Sequence, residues 1–564
     1  MRISRLQVSN FRSIKALDIE LPQICALVGP NNAGKSNILL AIQRVLGRDW
    51  VSVSSFGEDD VYGRDPTSDL TIALSFDPAL PYSKFKEADP VAITTLTFEY
   101  TRYKVGEQKG QRRLEQKCFD AKRKSPIVLA KAPKKGEQHQ YQSLVNIPPE
   151  VRQSVPLIYV GTSRSLKEHL PAARYSLLRQ LFEDIDRDLH DPKQTVKVRQ
   201  LDGTEAYVPR AEHFHQLMKA AMKILRTDEF EKLEASIKRN ALRQLGFDPV
   251  TDADRLDFFF SPFDTLDFYK SLDLRVREGD FVISATELGE GIQNALVLSI
   301  LQVFEERRKK GAIILIEEPE MFLHPQMQRS LYKTLREIGK TNQIIYATHS
   351  PHFVAVPDYH EVLLVRKDVD GTTVRCSDLP TEAKRREKLI KELDPERNEL
   401  FFATRLLLVE GDTEKLALPE YAKRLRLDLD REGATIVEVG GKRSFPEFAK
   451  IASSFGIPTG ILYDEDSSDF DDKRDEEKAF NEELDALANA DGSLKVWRIS
   501  KNYEHHLSTT LGEKKYQELC QKYSQVGKSK VTQARLIASE EGLPIPKPLE
   551  EVLGWLANKV GAKA

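Results

Sequence analysis

The stretch ICALVGPNNAGKSNILLAI, residues 24–42, decides the fold of this chain. Its apolar start predicts a buried strand, and the apolar spacing after Lys35 predicts a helix that ends near Leu46. Between them, residues 29–36 match G-x-x-x-x-G-K-[ST], a loop that binds phosphate oxygens through backbone N–H groups. In this motif the lysine reaches the β- and γ-phosphates and the serine binds Mg²⁺, so we expect ATP at this turn. The residues expected to bind it are Asn32, Gly34, Lys35 and Ser36.

The length and composition are those of a multidomain globular protein. The chain has 564 residues, which at roughly 150 residues per unit gives about three or four structural units and two or three domains. Hydrophobic residues make up 40% and charged residues 30%, as is typical of a soluble fold. No stretch approaches the ~20 apolar residues of a membrane helix, and the N-terminus has no apolar signal core. A cytoplasmic protein without membrane contact is therefore expected.

Cysteine and charge content narrow the function classes. The four cysteines form no C-x-x-C pair, which argues against a disulfide framework or a zinc ribbon. The net charge is −3, so contact with a nucleic acid has to come from a local patch. Residues 102–135 form such a patch, with twelve Lys/Arg against three Asp/Glu. A solvated loop and a phosphate-binding surface are equally compatible with this pattern.

The strand and helix patterns divide the chain into four segments. Helical spacing runs from about residue 171 to 247, and its apolar faces favour either packing on the same domain or dimerisation. A charged helix, TEAKRREKLIKEL, precedes a second series of strands alternating with helices, which predicts a parallel sheet. The expected fold class is α/β, a nucleotide-binding part with an inserted helical module followed by a second α/β domain. The expected boundaries are 1–168, 169–250, 251–395 and 396–564.

Acidic residues follow another apolar strand, in AIILIEEPE. An enzyme with this phosphate loop needs one carboxylate on the Mg²⁺ side and one group that activates water. Glu317 fits the first role and Glu318 the second. His349, in YATHS, ends the next strand and is placed to sense the γ-phosphate, although a structural histidine is the alternative.

The motifs GPNNAGKSN, LGEGIQ, ILIEEPE and ATHS follow one another in an order that resembles ABC-type ATPases of the RecF and SMC kind. The resemblance implies a homodimer in which ATP lies between the phosphate loop of one subunit and the signature motif of the other. Gly291, in LGEGIQ, is the signature glycine that this chain retains. Gly289 stands where the signature has serine, which implies ATP turnover that is slow or mainly regulatory.

Four carboxylates follow strands in the last third of the chain. Glu410 ends the strand of RLLLVEG, Glu414 lies on the next helical turn, and Asp464 and Asp466 end GILYDED. We expect the two aspartates to point the same way, because they are two residues apart in extended chain. The carboxyl ends of parallel strands share one edge, where four repelling acids would need cations. Oxygen ligands without His or Cys favour Mg²⁺, Mn²⁺ or Ca²⁺ over zinc, and a pair of such ions can cleave phosphodiesters.

The pattern Glu-Gly-x-x-Glu followed by Asp-x-Asp resembles the Toprim domain of topoisomerases, primases and related nucleases. An ABC-type ATPase with a helical insertion followed by Toprim resembles the OLD (overcoming lysogenisation defect) family, which includes the nuclease subunit of Gabija anti-phage systems. The resemblance implies that Glu410, Asp464 and Asp466 are catalytic metal ligands, with Glu414 as a further ligand. The other positions that it implies are Glu438 and Glu504 as metal ligands, Lys530 or its competitor Lys528 as the cation that stabilises the transition state, and Asn502 where some members carry Asp.

The function that this resemblance implies is an ATP-binding, divalent-metal-dependent DNA endonuclease or nickase in anti-phage defence. It would act as a homodimer or larger homo-oligomer, with a helicase or another defence-system protein as partner. An ATP-driven nucleic-acid sensor or clamp that controls a partner effector without cutting is the alternative. RNA stays open as a substrate, because these motifs do not report the 2′-hydroxyl. Asp469, Asp471 and Asp472 are expected to form a solvated loop.

Overall fold

The structure is a computed structural model of the chain. It describes residues 1–47, 51–65, 67–86, 88–132, 139–162, 177–199, 205–255, 265–270, 272–278, 281–307, 311–380, 395–466, 474–490 and 493–557. The chain divides into two compact units, residues 1–162 with 310–564, and residues 163–309. The four segment boundaries expected from the sequence stay predictions. No helix within the described ranges is long and apolar enough to cross a membrane.

An antiparallel sheet opens the first unit. The elements described up to residue 162 are β1 (Arg2–Phe11), β2 (Ile14–Glu20), β3 (Ile24–Val28), α1 (Lys35–Leu46), β4 (Leu70–Tyr82), β5 (Val91–Arg102), β6 (Arg112–Phe119), β7 (Ile127–Leu129), β8 (Tyr141–Ser143), α2 (Pro149–Ser154) and β9 (Leu157–Val160). Five of these strands form the sheet, in the order β2-β1-β4-β5-β6. Leu6 and Val8 of β1 are buried while Gln7 between them is more exposed, as the alternating sequence predicts for a sheet covered on one face.

The basic segment 102–135 includes β6, at the edge of this sheet. Nζ of Lys117 lies 2.7 Å from Glu99 and 2.6 Å from Glu115, and Arg113 also pairs with Glu115. Part of the positive charge is therefore neutralised within the sheet. Among the residues of this segment that the structure describes, the exposed basic ones are Lys104, Lys109, Lys122, Arg123, Lys124 and Lys131. Both interpretations of the segment stay open.

The second unit is mainly helical. Its described elements are α3 (Leu177–Leu189), β10 (Thr195–Arg199), β11 (Glu205–Pro209), α4 (Arg210–Leu225), α5 (Asp228–Gln244), α6 (Thr265–Lys270), β12 (Arg275–Glu278), β13 (Phe281–Ser284) and α7 (Glu290–Arg307). The helical spacing predicted α3, α4 and α5, whereas the antiparallel pairs β10–β11 and β12–β13 were not expected. Leu217, Leu225 and Leu233 are exposed, and the role of this module in dimerisation stays a prediction.

A mostly parallel sheet completes the nucleotide-binding part of the first unit. The elements that follow the insertion are β14 (Ile313–Glu317), α8 (Pro325–Ile338), β15 (Gln343–Thr348), β16 (Val362–Asp368) and β17 (Gly371–Cys376). The strand order is β17-β16-β3-β15-β14-β9, with only the β16–β17 pair antiparallel. A turn at Val369 and Asp370 joins that pair. The carboxyl ends of β3, β15 and β14 therefore lie next to one another.

A second parallel sheet forms the last third of the chain. The described elements are α9 (Pro395–Asn398), β18 (Arg405–Val409), α10 (Asp412–Arg424), β19 (Ala434–Glu438), α11 (Phe445–Ser454), β20 (Thr459–Asp464), α12 (Arg474–Ala490), β21 (Leu494–Ile499), α13 (Tyr503–Leu511), α14 (Glu513–Ser524), α15 (Lys530–Ser539) and α16 (Lys547–Leu556). The strand order is β19-β18-β20-β21, all parallel, as the alternation of strands and helices predicts. The charged helix expected before α9 and the acids Asp469, Asp471 and Asp472 lie outside the described residues.

Candidate nucleotide and metal sites

The phosphate loop, residues 29–36, joins β3 to α1, and its backbone requires glycine. Gly29 has φ +153°, and a Cβ atom there would lie 2.0 Å from the carbonyl oxygen of Val365. Gly34, directly before α1, has φ +107°, and Asn32 has φ 63°. Side chains larger than hydrogen rarely adopt the glycine conformations, so these two positions depend on the absence of a Cβ.

Lys35 is a buried cation inside this loop, with only 5% of the residue exposed. Its Nζ donates hydrogen bonds to the carbonyl oxygens of Gly29, at 2.8 Å, and Pro30, at 2.9 Å. Burial lowers the pKa of Lys35 to about 8, while Glu318 and Glu320 act in the opposite direction. The two carbonyl groups provide acceptors where an anionic phosphate would provide stronger ones.

Glu318 and His349 lie side by side at the ends of β14 and β15. Nε2 of His349 is 3.7 Å from Oε1 of Glu318. Burial lowers the pKa of His349, and the neighbouring Lys35 lowers it further. The strand order thus brings Lys35, Glu318 and His349 together, although they are far apart in sequence.

Glu320 is a residue of this site that the sequence analysis missed. Its Oε1 accepts hydrogen bonds from the hydroxyl of Thr348 (2.8 Å) and from the N–H groups of His349 (2.6 Å) and Ser350 (3.1 Å). Burial raises the pKa of Glu320. In the sequence, Glu320 is the third acid of AIILIEEPE. In the structure, it binds the backbone N–H groups of His349 and of the residue after it.

The other expected nucleotide residues have different surroundings. Glu317 is buried at the end of β14, next to Tyr159. Burial is the largest cause of the raised pKa of Tyr159, and the Glu317 carboxylate is the next. Ser36 lies on the first turn of α1. Gly291 lies on the first turn of α7 in the second unit, and the carbonyl oxygen of Gly289 accepts the first helical hydrogen bonds there.

The second candidate site is the acidic edge, which we define as Glu410, Glu414, Asp464 and Asp466. Its strands β18 and β20 are parallel neighbours, in a register that pairs Val409 with Leu462. Glu410 and Asp464 therefore leave the sheet at the same edge, where ligands bind in α/β folds. Glu414 lies on the first turn of α10 and is only 6% exposed.

Three carboxyl groups of the acidic edge, those of Glu410, Glu414 and Asp464, are at least partly buried, and two of their oxygens have no hydrogen-bond partner. Burial, with Glu414 as the next cause, raises the pKa of Asp464 to about 8, and burial raises the pKa of Glu414 to about 7. The pKa of Glu410 is also raised, by burial and then by Asp466. Oε2 of Glu410 and Oδ1 of Asp464 are buried and have no hydrogen-bond partner. Such oxygens need a proton or a cation, so this set fits a hard divalent ion.

The carboxylates do not yet converge on one point. Within the described part of the chain, no three His, Cys, Asp or Glu side chains form a finished metal-binding group. Like charges repel, which favours separated carboxylates when no cation lies among them.

The extended conformation expected between Asp464 and Asp466 is wrong. Strand β20 ends at Asp464, and Asp466 has φ 52°, in the left-handed region. Its N–H donates to the carbonyl oxygen of Lys501 at 2.9 Å, which turns the chain away from the strand direction. The alternation of side chains therefore stops at Asp464. Asp466 nevertheless lies near enough to Glu410 to raise the pKa of that carboxyl.

Two charged residues beside the acidic edge were missed by the sequence analysis. They are Lys442, which follows β19 in the sequence GGKRSF, and Glu477 on α12. Nζ of Lys442 lies 3.6 Å from Oε2 of Glu477. The glycine pair before the lysine was the available signal, whereas nothing in the local sequence around Glu477 relates it to β18 or β20.

Glu504 and Lys530 form an ion pair near the acidic edge. Nζ of Lys530 is 3.6 Å from Oε1 of Glu504, and the Lys530 side chain is 81% exposed. Glu504 contributes to the raised pKa of Glu414, which places its carboxylate close to that residue. Lys528 is exposed two residues before α15. The side chain of Asn502 caps α13 by accepting a hydrogen bond from the N–H of His505.

Glu438 already has hydrogen-bond partners. Its Oε1 accepts from the N–H of Gly440 at 2.6 Å, and its Oε2 lies 3.2 Å from Nη2 of Arg397. Nε of Arg397 also donates to the carbonyl oxygen of Glu438. Its place among the metal ligands stays a prediction, because an ion would have to compete with this arginine.

Two family models match the chain. One is described as an AAA ATPase domain and matches residues 1–150 and 161–354. The other is described as the overcoming lysogenization defect protein-like TOPRIM domain and matches residues 401–466, which include the whole acidic edge. These matches confirm the expected fold class, an α/β ATPase part followed by a Toprim domain with a parallel sheet.

Three curated relatives are similar over most of the chain. An OLD nuclease of Thermus scotoductus is 31% identical over 505 residues, which cover 88% of each protein. The Old nuclease of Escherichia phage P2 is 27% identical, covering 82% of this chain and 77% of that protein. Endonuclease GajA of Bacillus cereus is 23% identical, covering 83% of this chain and 75% of that protein.

Proposed function

This chain belongs to the OLD nuclease family, as an endonuclease with an ATPase domain, and we propose that it cleaves DNA in a divalent-metal-dependent reaction that serves anti-phage defence. The observation that carries the proposal is the pair of buried, unpartnered oxygens on Glu410 and Asp464. DNA as the substrate is supported by the endonuclease name of the Bacillus cereus relative and by the exposed lysines and arginines of residues 102–135.

The acidic edge would hold the metal. Glu410, Glu414 and Asp464 would provide oxygens for Mg²⁺ or Mn²⁺, and Asp466 and Glu504 would be further ligands. Ca²⁺ is an alternative as a second ion. A pair of such ions, when bound, activates water and stabilises the leaving oxygen of a phosphodiester. Lys530, which is exposed beside Glu504, would contact a phosphate oxygen of an approaching strand.

The phosphate loop would hold ATP in the same chain. Asn32, Gly34, Lys35 and Ser36 would contact the phosphates and the Mg²⁺ ion, and Glu317 and Glu318 would position the ion and the attacking water. His349 would report the γ-phosphate to the loop that Glu320 holds. Gly291 would contribute from a second subunit of a homodimer. Whether a helicase or another defence protein joins this assembly is a separate test.

A plasmid assay tests the proposal. Full-length protein is incubated with supercoiled DNA and Mg²⁺, Mn²⁺ or Ca²⁺, with and without ATP. We expect nicked or linear product with Mg²⁺ or Mn²⁺, and none from Glu410→Gln or Asp464→Asn. Glu432→Ala, which removes an exposed acid of the same domain, is the matched control and should cleave like the wild type.

Two results would contradict the proposal. Wild-type protein that cleaves DNA with no divalent ion, or Asp464→Asn protein that cleaves normally, would remove the role of the acidic edge. If no ion supports cleavage while the protein binds DNA in an ATP-dependent manner, the chain is a sensor or clamp that controls a partner. A parallel reaction with single-stranded RNA decides between the two nucleic acids.

A further inference from the structure

A tight loop after β19 contacts Glu410. Gly440 and Gly441 have φ values of 75° and 112°, which allow the chain to turn sharply before Lys442. The N–H of Gly441 donates to the carbonyl oxygen of Glu410 at 3.2 Å. A hydrogen bond from the N–H of Lys442 to the Glu410 carboxyl lowers the pKa of that carboxyl, against the larger effect of burial. The backbone of this loop is therefore fixed to the end of β18.

The side chain of Lys442 extends to the other half of the acidic edge. Its Nζ donates a hydrogen bond to the carbonyl oxygen of Glu465 at 3.1 Å and lies 3.8 Å from Oδ2 of Asp466. The carbonyl oxygen of Glu465 also accepts from Nδ2 of Asn481 at 2.8 Å. These contacts act on the segment in which Asp466 adopts its left-handed conformation, directly after β20.

Lys442 is also the buried cation of the site. Only 6% of the residue is exposed, and its Nζ lies 5.2 Å from the centre of the Tyr463 ring. A lysine is rarely buried unless its charge is paired, and here the paired groups are Asp466 and Glu477. The ammonium group thus remains among carboxylates that repel one another.

The next residue, Arg443, carries the same charge in a different position. Its side chain is 56% exposed, its Nη2 lies 2.6 Å from Oε1 of Glu477, and its guanidinium covers the ring of Phe480. Arg443 therefore shares Glu477 with Lys442 but is directed toward α12. A variant of Arg443 is therefore a matched control, because it loses one positive charge and keeps the contacts that Lys442 makes.

We propose that Lys442 is a positioning residue of the nuclease site, a fixed cation that links the Glu410 end of β18 to the segment from Asp464 to Asp466 at the end of β20. The inference rests on the proposed function, since it assigns a role in the same metal site. A positioning role and a purely electrostatic role predict changes of opposite sign in Mn²⁺ affinity when Lys442 is replaced. A nearby positive charge repels Mn²⁺, so removing it would strengthen binding if charge alone mattered. Loss of positioning would weaken binding.

The experiment measures Mn²⁺ affinity directly on nucleotide-free, full-length protein, by electron paramagnetic resonance of the unbound ion. We expect Lys442→Met to weaken Mn²⁺ binding about tenfold, the lower end of what loss of a supporting group costs a metal site. The Mn²⁺ concentration that gives half-maximal plasmid cleavage should rise by a similar factor. Lys442→Arg should recover part of the affinity, and Arg443→Met should stay within about twofold of the wild type, as expected for an exposed ion pair.

The outcomes separate the possibilities. Mn²⁺ binding by Lys442→Met as tight as, or tighter than, that of the wild type overturns the inference, and so does an equal loss in Arg443→Met. If Lys442→Met does not fold, as judged by circular dichroism, Lys442→Gln provides the same comparison with a shorter polar side chain. Wild-type protein that binds Mn²⁺ but cuts no DNA would contradict the proposed function while the binding comparison still decides the role of Lys442. Wild-type protein that binds no Mn²⁺ would overturn both.

Discussion

The two candidate sites lie at the carboxyl ends of two parallel sheets. They differ in whether their buried charged groups have hydrogen-bond partners. In the phosphate loop, the buried Lys35 is satisfied by two carbonyl oxygens of its own loop. In the acidic edge, Glu410 and Asp464 each keep a buried oxygen with no hydrogen-bond partner. Lys35 is therefore satisfied without a ligand, whereas Glu410 and Asp464 each keep an oxygen that needs a proton or a cation.

The difference shows how each site should respond to its ligand. Lys35 already donates two hydrogen bonds without a nucleotide, so the burial of its charge is compensated in the free loop. A cation at the acidic edge replaces no described hydrogen bond of these two oxygens and removes a burial cost. Metal should therefore affect the stability of the Toprim domain more than nucleotide affects that of the phosphate loop.

The largest expected effect is a complete separation of the two binding activities. Lys35→Ala should abolish ATP binding and leave Mn²⁺ binding in the absence of nucleotide unchanged, because Lys35 lies at the start of α1, after a strand of the other sheet. Asp464→Asn should do the reverse. Fluorescent-nucleotide binding and Mn²⁺ titration of the same preparations measure both. A variant that loses both activities while remaining folded would show that the sites are not independent.

Stabilisation by metal should be the next largest effect. Without nucleotide, an ion at about 100 times its dissociation constant stabilises the folded protein by about 2.7 kcal/mol. Differential scanning fluorimetry should therefore show a higher melting temperature with Mn²⁺ for the wild type and little change for Glu410→Gln. An equal increase in both proteins would mean that the ion binds elsewhere.

The metal-free protein should lose stability as the pH rises. The pKa of Asp464 is raised by burial from 3.8 to about 8, so between these values the folded state keeps a proton that the unfolded state has lost. The contribution of Asp464 to the free energy of unfolding therefore falls as the pH rises through this range, and it is smallest above about pH 8. The pKa of Glu414, raised to about 7, acts in the same direction. A difference of one pH unit between the folded-state and unfolded-state pKa of a group corresponds to about 1.4 kcal/mol.

Urea unfolding with a chelator present, at about pH 5 and about pH 8, measures this effect. The wild type should lose more stability between the two conditions than Asp464→Asn, which has no acid to titrate at that position. Saturating Mn²⁺ should reduce the difference. The same pH dependence in both proteins would contradict the burial of an unsatisfied carboxyl at this residue.

The smallest effect concerns Lys530. Its ion pair with Glu504 is exposed, so Lys530→Ala should change the free energy of unfolding by no more than about 1 kcal/mol. If Lys530 contacts the phosphate, the same variant should cleave more slowly than Lys528→Ala without a change in Mn²⁺ affinity. Equal cleavage rates for the two variants would remove the preference for Lys530.

Sequence motifs predicted those parts of each site that lie directly after a strand. The phosphate loop, Glu318, His349, Glu410 and Asp464 could be placed because a strand pattern and a polar end are both local features. The order of parallel strands then brought them together. Glu414 was placed by the same reasoning, since helical spacing fixes the first turn of α10.

Residues that depend on turns or on distant elements could not be predicted in this way. Asp466 was expected in extended chain, but a hydrogen bond to the backbone of Lys501 ends the strand pattern before it. Glu477 reaches the acidic edge from α12, a helix whose position depends on packing. Lys442 and Glu320 were visible in the sequence, yet their roles rest on contacts with segments that only the folded chain brings near.

In the function proposed above, the acidic edge binds the divalent ions that cleavage requires. Anomalous diffraction at the manganese edge, from crystals of the full-length protein soaked in Mn²⁺ without nucleotide, tests it most directly. We expect an anomalous peak among the carboxylates of Glu410, Glu414 and Asp464, and the loss of that peak in Asp464→Asn crystals. A fully occupied Mn²⁺ peak elsewhere with none among these three residues would contradict it.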